Sequence, residues 1–114
     1  MKEIILEDFP SSLEWLKKTS PGYNYTGSFS AGKVFSSNAL LYRIWCVKVK
    51  VDEKDIRELH ACCLLKESGF ASRPKMIEEE QIFEFSADGL SKVKEYVLSK
   101  AAENSDFLGI EAQS

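Results

Sequence analysis

One histidine is present in 114 residues, so any imidazole chemistry must use His60. Its candidate partners are Cys46, Cys62 and Cys63. A thiol held beside an imidazole is what nucleophilic catalysis uses, the ring taking the proton as sulfur attacks. Cys63 follows His60 by three residues, a spacing that shares a face on a helix. A zinc reading of the same residues falls short, because structural zinc takes four Cys or His ligands and no C-x-x-C pair is present. An odd number of cysteines, two of them adjacent, is not a disulfide framework either. The thiols therefore read as small apolar packing groups in a reducing, cytoplasmic compartment, with no catalytic or metal role and no cofactor assigned. A small enzyme using His60 with a cysteine stands as an alternative.

Residues 27–33, Gly-Ser-Phe-Ser-Ala-Gly-Lys, fit the spacing of a phosphate loop. Such a loop needs Ser or Thr next, to hold the metal ion, and a helix behind it. Val34 follows instead, and the flanking pattern is that of strands, so the stretch reads as a turn. Glu78, Glu79 and Glu80 form a run of carboxylates, with Glu84 close behind. In an extended segment Glu78 and Glu80 share a face. Acid–base catalysis by such a pair needs a pocket that shifts one pKa. On an edge strand the same charges block edge-to-edge pairing and can steer a partner of opposite sign. The aromatics Tyr23, Tyr25, Phe29, Tyr42 and Trp45 would suit base stacking, but only Arg43, Lys48 and Lys50 supply cations among them.

Charge is unevenly spread. Residues 1–30 hold three basic and four acidic groups, residues 31–75 nine and five, and residues 76–114 three and nine. The middle is thus mildly basic and the end acidic, without the large basic footprint of a nucleic-acid binder. Ile4, Ile5 and Leu6 are too short a run for a signal-peptide core. No stretch nears the ~20 apolar residues that span a bilayer.

These residues must be positioned by a small set of elements. Residues 2–8 read as a short strand, and Leu13, Trp15, Leu16 and Lys18 as a short helix ended by Pro21-Gly22. Residues 23–30 alternate, with Tyr23, Tyr25 and Phe29 on one face. Val34 and Phe35 start a return strand. Residues 40–51 are β-branched and aromatic without Gly or Pro, which predicts the central strand. Asp52 then reads as a helix N-cap, followed by Ile56, Leu59, His60, Cys63 and Leu64 at helical spacing and closed by Gly69. Residues 81–85 read as a strand. Ser86 or Asp88 caps a last helix with Leu90, Val93, Val97 and Ala101 as its buried stripe. Residues 104–114 read as a frayed tail in which Phe107, Leu108 and Ile110 are able to dock.

The expected fold is a single α+β domain spanning residues 1–114. It has a mostly antiparallel sheet with two longer helices and one short helix on one face, and a split β-α-β (ferredoxin-like) arrangement is the nearest standard form. The expected function is a non-catalytic protein-binding module of the inhibitor, immunity-type or regulatory-subunit kind. Its partner-binding residues are Glu78, Glu79, Glu80 and Glu84, and its partner is another protein with a basic surface. A nucleic-acid-binding domain using Arg43, Lys48 and Lys50 is a further alternative. No membrane contact is expected, and the oligomeric state is open.

Overall fold

A computed structural model of the chain describes residues 4–30, 38–69 and 73–109. The expected first strand is not formed: residues 4–6 have no strand partner and lead into a turn, although Leu6 is buried. Asp8 ties this segment down. Its carboxylate accepts from the Tyr42 hydroxyl at 2.7 Å and from the Ser28 backbone N–H at 3.1 Å, and its carbonyl accepts from the Tyr25 hydroxyl. Helix α1, Leu13–Leu16, matches its expected place and buries Leu16.

Strand β1, Tyr25–Ser30, pairs antiparallel with β2, Ala39–Val51. Gly27 lies under the Tyr42 ring, where an added Cβ would come within 2.2 Å of it. The return strand expected at Val34 and Phe35, and the end of the phosphate-loop spacing, fall outside the described residues. Just past β1, the Cys46 N–H donates to Thr19 Oγ1 at 2.9 Å, which satisfies the edge of β2 there.

The largest departure from expectation follows. Residues Lys54–Lys66 are not a helix but a second long strand, β3, paired residue for residue with β2 from Val51↔Lys54 to Ala39↔Lys66. Asp52 is no N-cap. Asp52 and Glu53 have φ of 51° and 65°, the positive values a two-residue hairpin turn of the primed type requires. The helical spacing arises because residues 59–65 are apolar on both faces of a central strand, and a continuous apolar run contains every spacing. Leu59, Ala61, Cys63 and Leu65 share one face, and Glu58, His60, Cys62 and Leu64 the other.

Beyond β3 the last sheet position is divided. Strand β4, Lys75–Met76, pairs with Leu64 and Leu65, and β5, Gln81–Glu84, pairs with residues 58–61. All strand pairs are antiparallel, and no crossover helix joins β1 to β5 among the described residues, so the split β-α-β form is not adopted.

Helix α2, Ala87–Glu103, is the single long helix among the described residues, in place of the two longer helices expected. Ser86 accepts from Gly89 N–H as its N-cap, Asp88 and Lys100 sit at the ends the helix dipole favours, and Leu90, Val93, Val97 and Ala101 are buried. These four pack with Leu40, Tyr42, Ile44, Leu59, Ala61 and Cys63 of the sheet. A short helix α3, Ser105–Leu108, buries Leu108 against the same core, while Ile110 lies outside the described residues. The chain is thus one α+β domain with its helices on one face of an antiparallel sheet. No described helix is long and apolar enough to cross a membrane.

The core predicts an alkaline weakness. Burial pushes the Cys63 thiol up to about 12 and holds the Tyr42 and Tyr96 hydroxyls above their ordinary range, with Asp8 adding to the effect at Tyr42. Above pH 9.0, the ordinary thiol value, the unfolded chain releases the Cys63 proton while the folded chain keeps it. The native state then binds more protons, so stability falls as pH rises. The urea midpoint is expected to drop steadily above pH 9, and less steeply in Cys63→Ala. A flat profile in that window would contradict the burial of these groups.

Candidate functional site on the sheet face away from the helices

The hairpin ladder sorts side chains into two sets. Tyr42 with Cys63, Ile44 with Ala61 and Cys46 with Leu59 face the helices. Leu41 with Leu64, Arg43 with Cys62, Trp45 with His60 and Val47 with Glu58 face the other way. On that second face Trp45, Cys62 and Leu64 form an apolar cluster with Leu41 and Val47, all from β2 and β3. No described helix lies over it.

The surface is concave. Arg43, Trp45 and Cys62 form the floor of a cleft of about 600 Å³. Pro21 and Asn24, in the turn before β1, make one wall. Met76 of β4, Ile82 of β5 and the intervening Glu79 and Glu80 make the other. Among the described residues Arg43 has no carboxylate within ion-pair distance.

His60 is buried at the side of this floor, its ring centroid 5.9 Å from that of Trp45. Its Nε2 lies 3.1 Å from Glu58 Oε1 and its Nδ1 3.2 Å from Glu80 Oε2. A ring protonated on both nitrogens donates to both carboxylates; a neutral ring donates to one. Each nitrogen thus lies within 3.2 Å of a carboxylate oxygen, and the imidazole links β3 to the bend before β5.

The alternative pairing of His60 with Cys63 on one helix face is not formed. On a strand, residues three apart point to opposite faces, so Cys63 and Cys46 lie on the helix side and only Cys62 shares the face of His60. Burial raises all three thiols, with Arg43 partly opposing this at Cys62 and Arg57 at Cys46. They are thiols, not thiolates, at neutral pH. Among the described residues no group of three or more His, Cys, Asp or Glu side chains is arranged to hold a metal ion.

The acidic run is also divided, because the chain bends between β4 and β5 instead of continuing as one strand. Glu78 accepts from Lys100 of α2 at 2.8 Å, on the helix side. Glu80 turns to the opposite face and meets His60, so the two do not share a face. The Glu79 side chain lines the cleft. Glu84 stands directly across from Glu58 and accepts from Ser86 Oγ at 3.1 Å. The three cations expected to act together are likewise split. Arg43 is in the cleft, while Lys48 and Lys50 are on the other face of the hairpin, opposite Arg57 and Asp55.

Sequence reasoning did not bring Cys62 onto the floor beside Trp45, or Met76 and Ile82 to its wall. The signal for them was the Asp52-Glu53 turn, which lays residues 54–66 along residues 39–51 and so chooses which side chains meet Trp45. Comparison of the chain with protein-family models, with curated proteins and with solved structures gives no significant match.

Proposed function

We propose that the chain is a small, non-catalytic protein-binding module of the inhibitor, immunity or regulatory-subunit kind, and that the cleft on the sheet face away from the helices holds its partner. The observation that carries this reading is the exposure of Ile82 (60%) and Met76 (52%) beside the Trp45 floor. Apolar groups left in water beside a concave apolar floor and rimmed by charge mark interaction surfaces. The matching partner segment places an apolar side chain over Trp45 and a Lys or Arg against Glu79 and Glu80. Exposed carboxylates set association rate and salt dependence, and the apolar contact sets residence. Carboxylates on the rim speak against a phosphate backbone as ligand, as does the separation of Arg43 from Lys48 and Lys50. Imidazole nitrogens that each face a carboxylate, and protonated thiols, speak against the small enzyme. Three buried free thiols suit a reducing compartment, and the cytoplasm is the proposed location.

The test is affinity capture from the native host with wild type and with Ile82→Lys, a substitution at an exposed site that should leave the urea midpoint nearly unchanged. A protein retained by wild type and lost from Ile82→Lys is expected, and Glu79→Lys should slow its association several-fold at low salt. Equal recovery by both baits would remove the cleft from consideration.

A further inference from the structure

The β2–β3 hairpin outruns the sheet. β1 pairs with β2 no further than Ile44, and β5 reaches β3 no further than Glu58. Beyond these points, residues 47–51 and 54–57 pair only with each other among the described residues, forming a two-stranded ribbon. The domain accordingly measures 49 Å in its longest dimension against 33 and 22 Å. A two-stranded ribbon is marginally stable in water by itself.

The two sides of the ribbon differ in kind. One carries Lys48, Lys50, Asp55 and Arg57 and suits solvent. The other continues the sheet face away from the helices and carries Val47, Val49, Val51 and Ile56, with Val51 49% and Ile56 43% exposed. Register adds charges at both ends of this apolar stripe. Lys54 stands across from Val51 at the tip, and Glu58 stands across from Val47 at the base, with Glu84 beside it on β5. Glu58 also stands 3.1 Å from His60 Nε2 and Glu84 accepts from Ser86 Oγ, so each of the two facing carboxylates is already held at one oxygen. From tip to base the stripe therefore reads cation, apolar, double anion.

That order is self-complementary under a twofold axis. We propose that two copies of the chain associate ribbon to ribbon, tip over base, with the Val49–Ile56 pair at the axis and Lys54 of each copy set against Glu58 and Glu84 of the other. The occupant is a second copy, because one patch supplies both halves of the charge pattern, as an isologous contact demands. The cleft begins at the rung of His60, where Trp45 and Ile82 stand, and runs away from the ribbon through Arg43 and Cys62. The proposal is independent of what the cleft binds. The ribbon is narrow, and an interface below ~1,200 Å² falls in the weak, transient class. Association is therefore expected toward high micromolar chain concentrations rather than at low ones.

Sedimentation equilibrium of the full chain tests this. The mass is expected to rise with concentration from 12.9 kDa toward twice that value. Lys54→Glu should hold the chain monomeric at the same concentrations, because it sets like charges together at both symmetry-related places, and Glu84→Lys should weaken association, because it opposes the Lys54–Glu58 attraction with a repulsion between Lys54 and the new lysine. Mixing the two variants should associate better than either variant by itself, because three of the four contacts are then between opposite charges. Circular dichroism on each variant confirms that the fold is kept, and Val49→Lys supplies a second route to the monomer. A wild-type chain that stays monomeric to high micromolar concentration would overturn the proposal. So would a dimer that Lys54→Glu does not disturb, or a mixture that associates no better than its components.

Discussion

Replacing Tyr42 by alanine is expected to lower the unfolding free energy by about 3–5 kcal/mol, the range for deleting a large buried ring. Tyr42 is fully buried at the centre of β2. Its ring covers Gly27 of β1, stands 5.7 Å from the Phe9 ring and faces the helix-side core. Its hydroxyl is the group through which Asp8 anchors the N-terminal segment. Alanine would open a cavity, uncover a glycine in a strand and leave a carboxylate oxygen without its donor. Tyr42→Phe separates these parts, since it keeps the ring and loses only the hydrogen bond, at a cost of about 1–3 kcal/mol for a bond to a charged group. Urea denaturation of both variants measures the difference. A Tyr42→Ala midpoint equal to that of Tyr42→Phe would show that the ring contributes nothing to packing.

Gly89→Ala is expected to destabilise the domain by about 1–3 kcal/mol through overpacking, against the direction that helix propensity predicts. In an open helix the same change gains up to about 1 kcal/mol. Gly89 sits in the first turn of α2, where an added Cβ would lie 1.7 Å from the Glu84 carbonyl oxygen and 2.7 Å from its carbon. The obstacle is backbone, which cannot rotate aside, so α2 must lift from the end of β5 and disturb the Ser86 cap. Gly22→Ala is the control, because nothing lies within 4 Å of the added atom. If thermal unfolding shows Gly89→Ala to be as stable as wild type, the close approach of α2 to β5 is not as described.

Where one local signal had one reading, the sequence was legible. Ser86 followed by Leu90, Val93, Val97 and Ala101 specifies a capped amphipathic helix, and that helix forms. The alternation around Tyr25 and Phe29, and the β-branched run through Ile44 and Val49, specify β1 and β2. Residues 54–66 were not legible in the same way. Asp followed by acidic residues starts a helix as readily as it makes a turn, and an apolar run satisfies both periods. What decides is non-local: β2 offers a thirteen-residue edge, and pairing along it outweighs the helical preference of the segment. The error spread to the site. With residues 54–66 on a helix, His60 seeks Cys63; on a strand it meets Trp45, Glu58 and Glu80. The acidic run was visible as charge, but the bend that sends Glu78 and Glu80 to opposite faces leaves no mark in residue types.

Asp52 and Glu53 fix more than a reversal of chain direction. Side chains on β2 and β3 alternate strictly, so a slip of one residue moves a whole strand's side chains to the opposite face. One residue added to β3 near the turn would send Leu59, Ala61 and Cys63 toward solvent and bring Glu58, His60 and Cys62 against α2. The domain would be turned inside out along one strand, with every substituted contact a loss. Adding two residues to each strand instead lengthens the ribbon by ~7 Å and exchanges no faces. Changes of length in this hairpin are therefore tolerated only in even, matched steps. The reach of the ribbon can grow or shrink by whole rungs while the cleft and the core remain as they are.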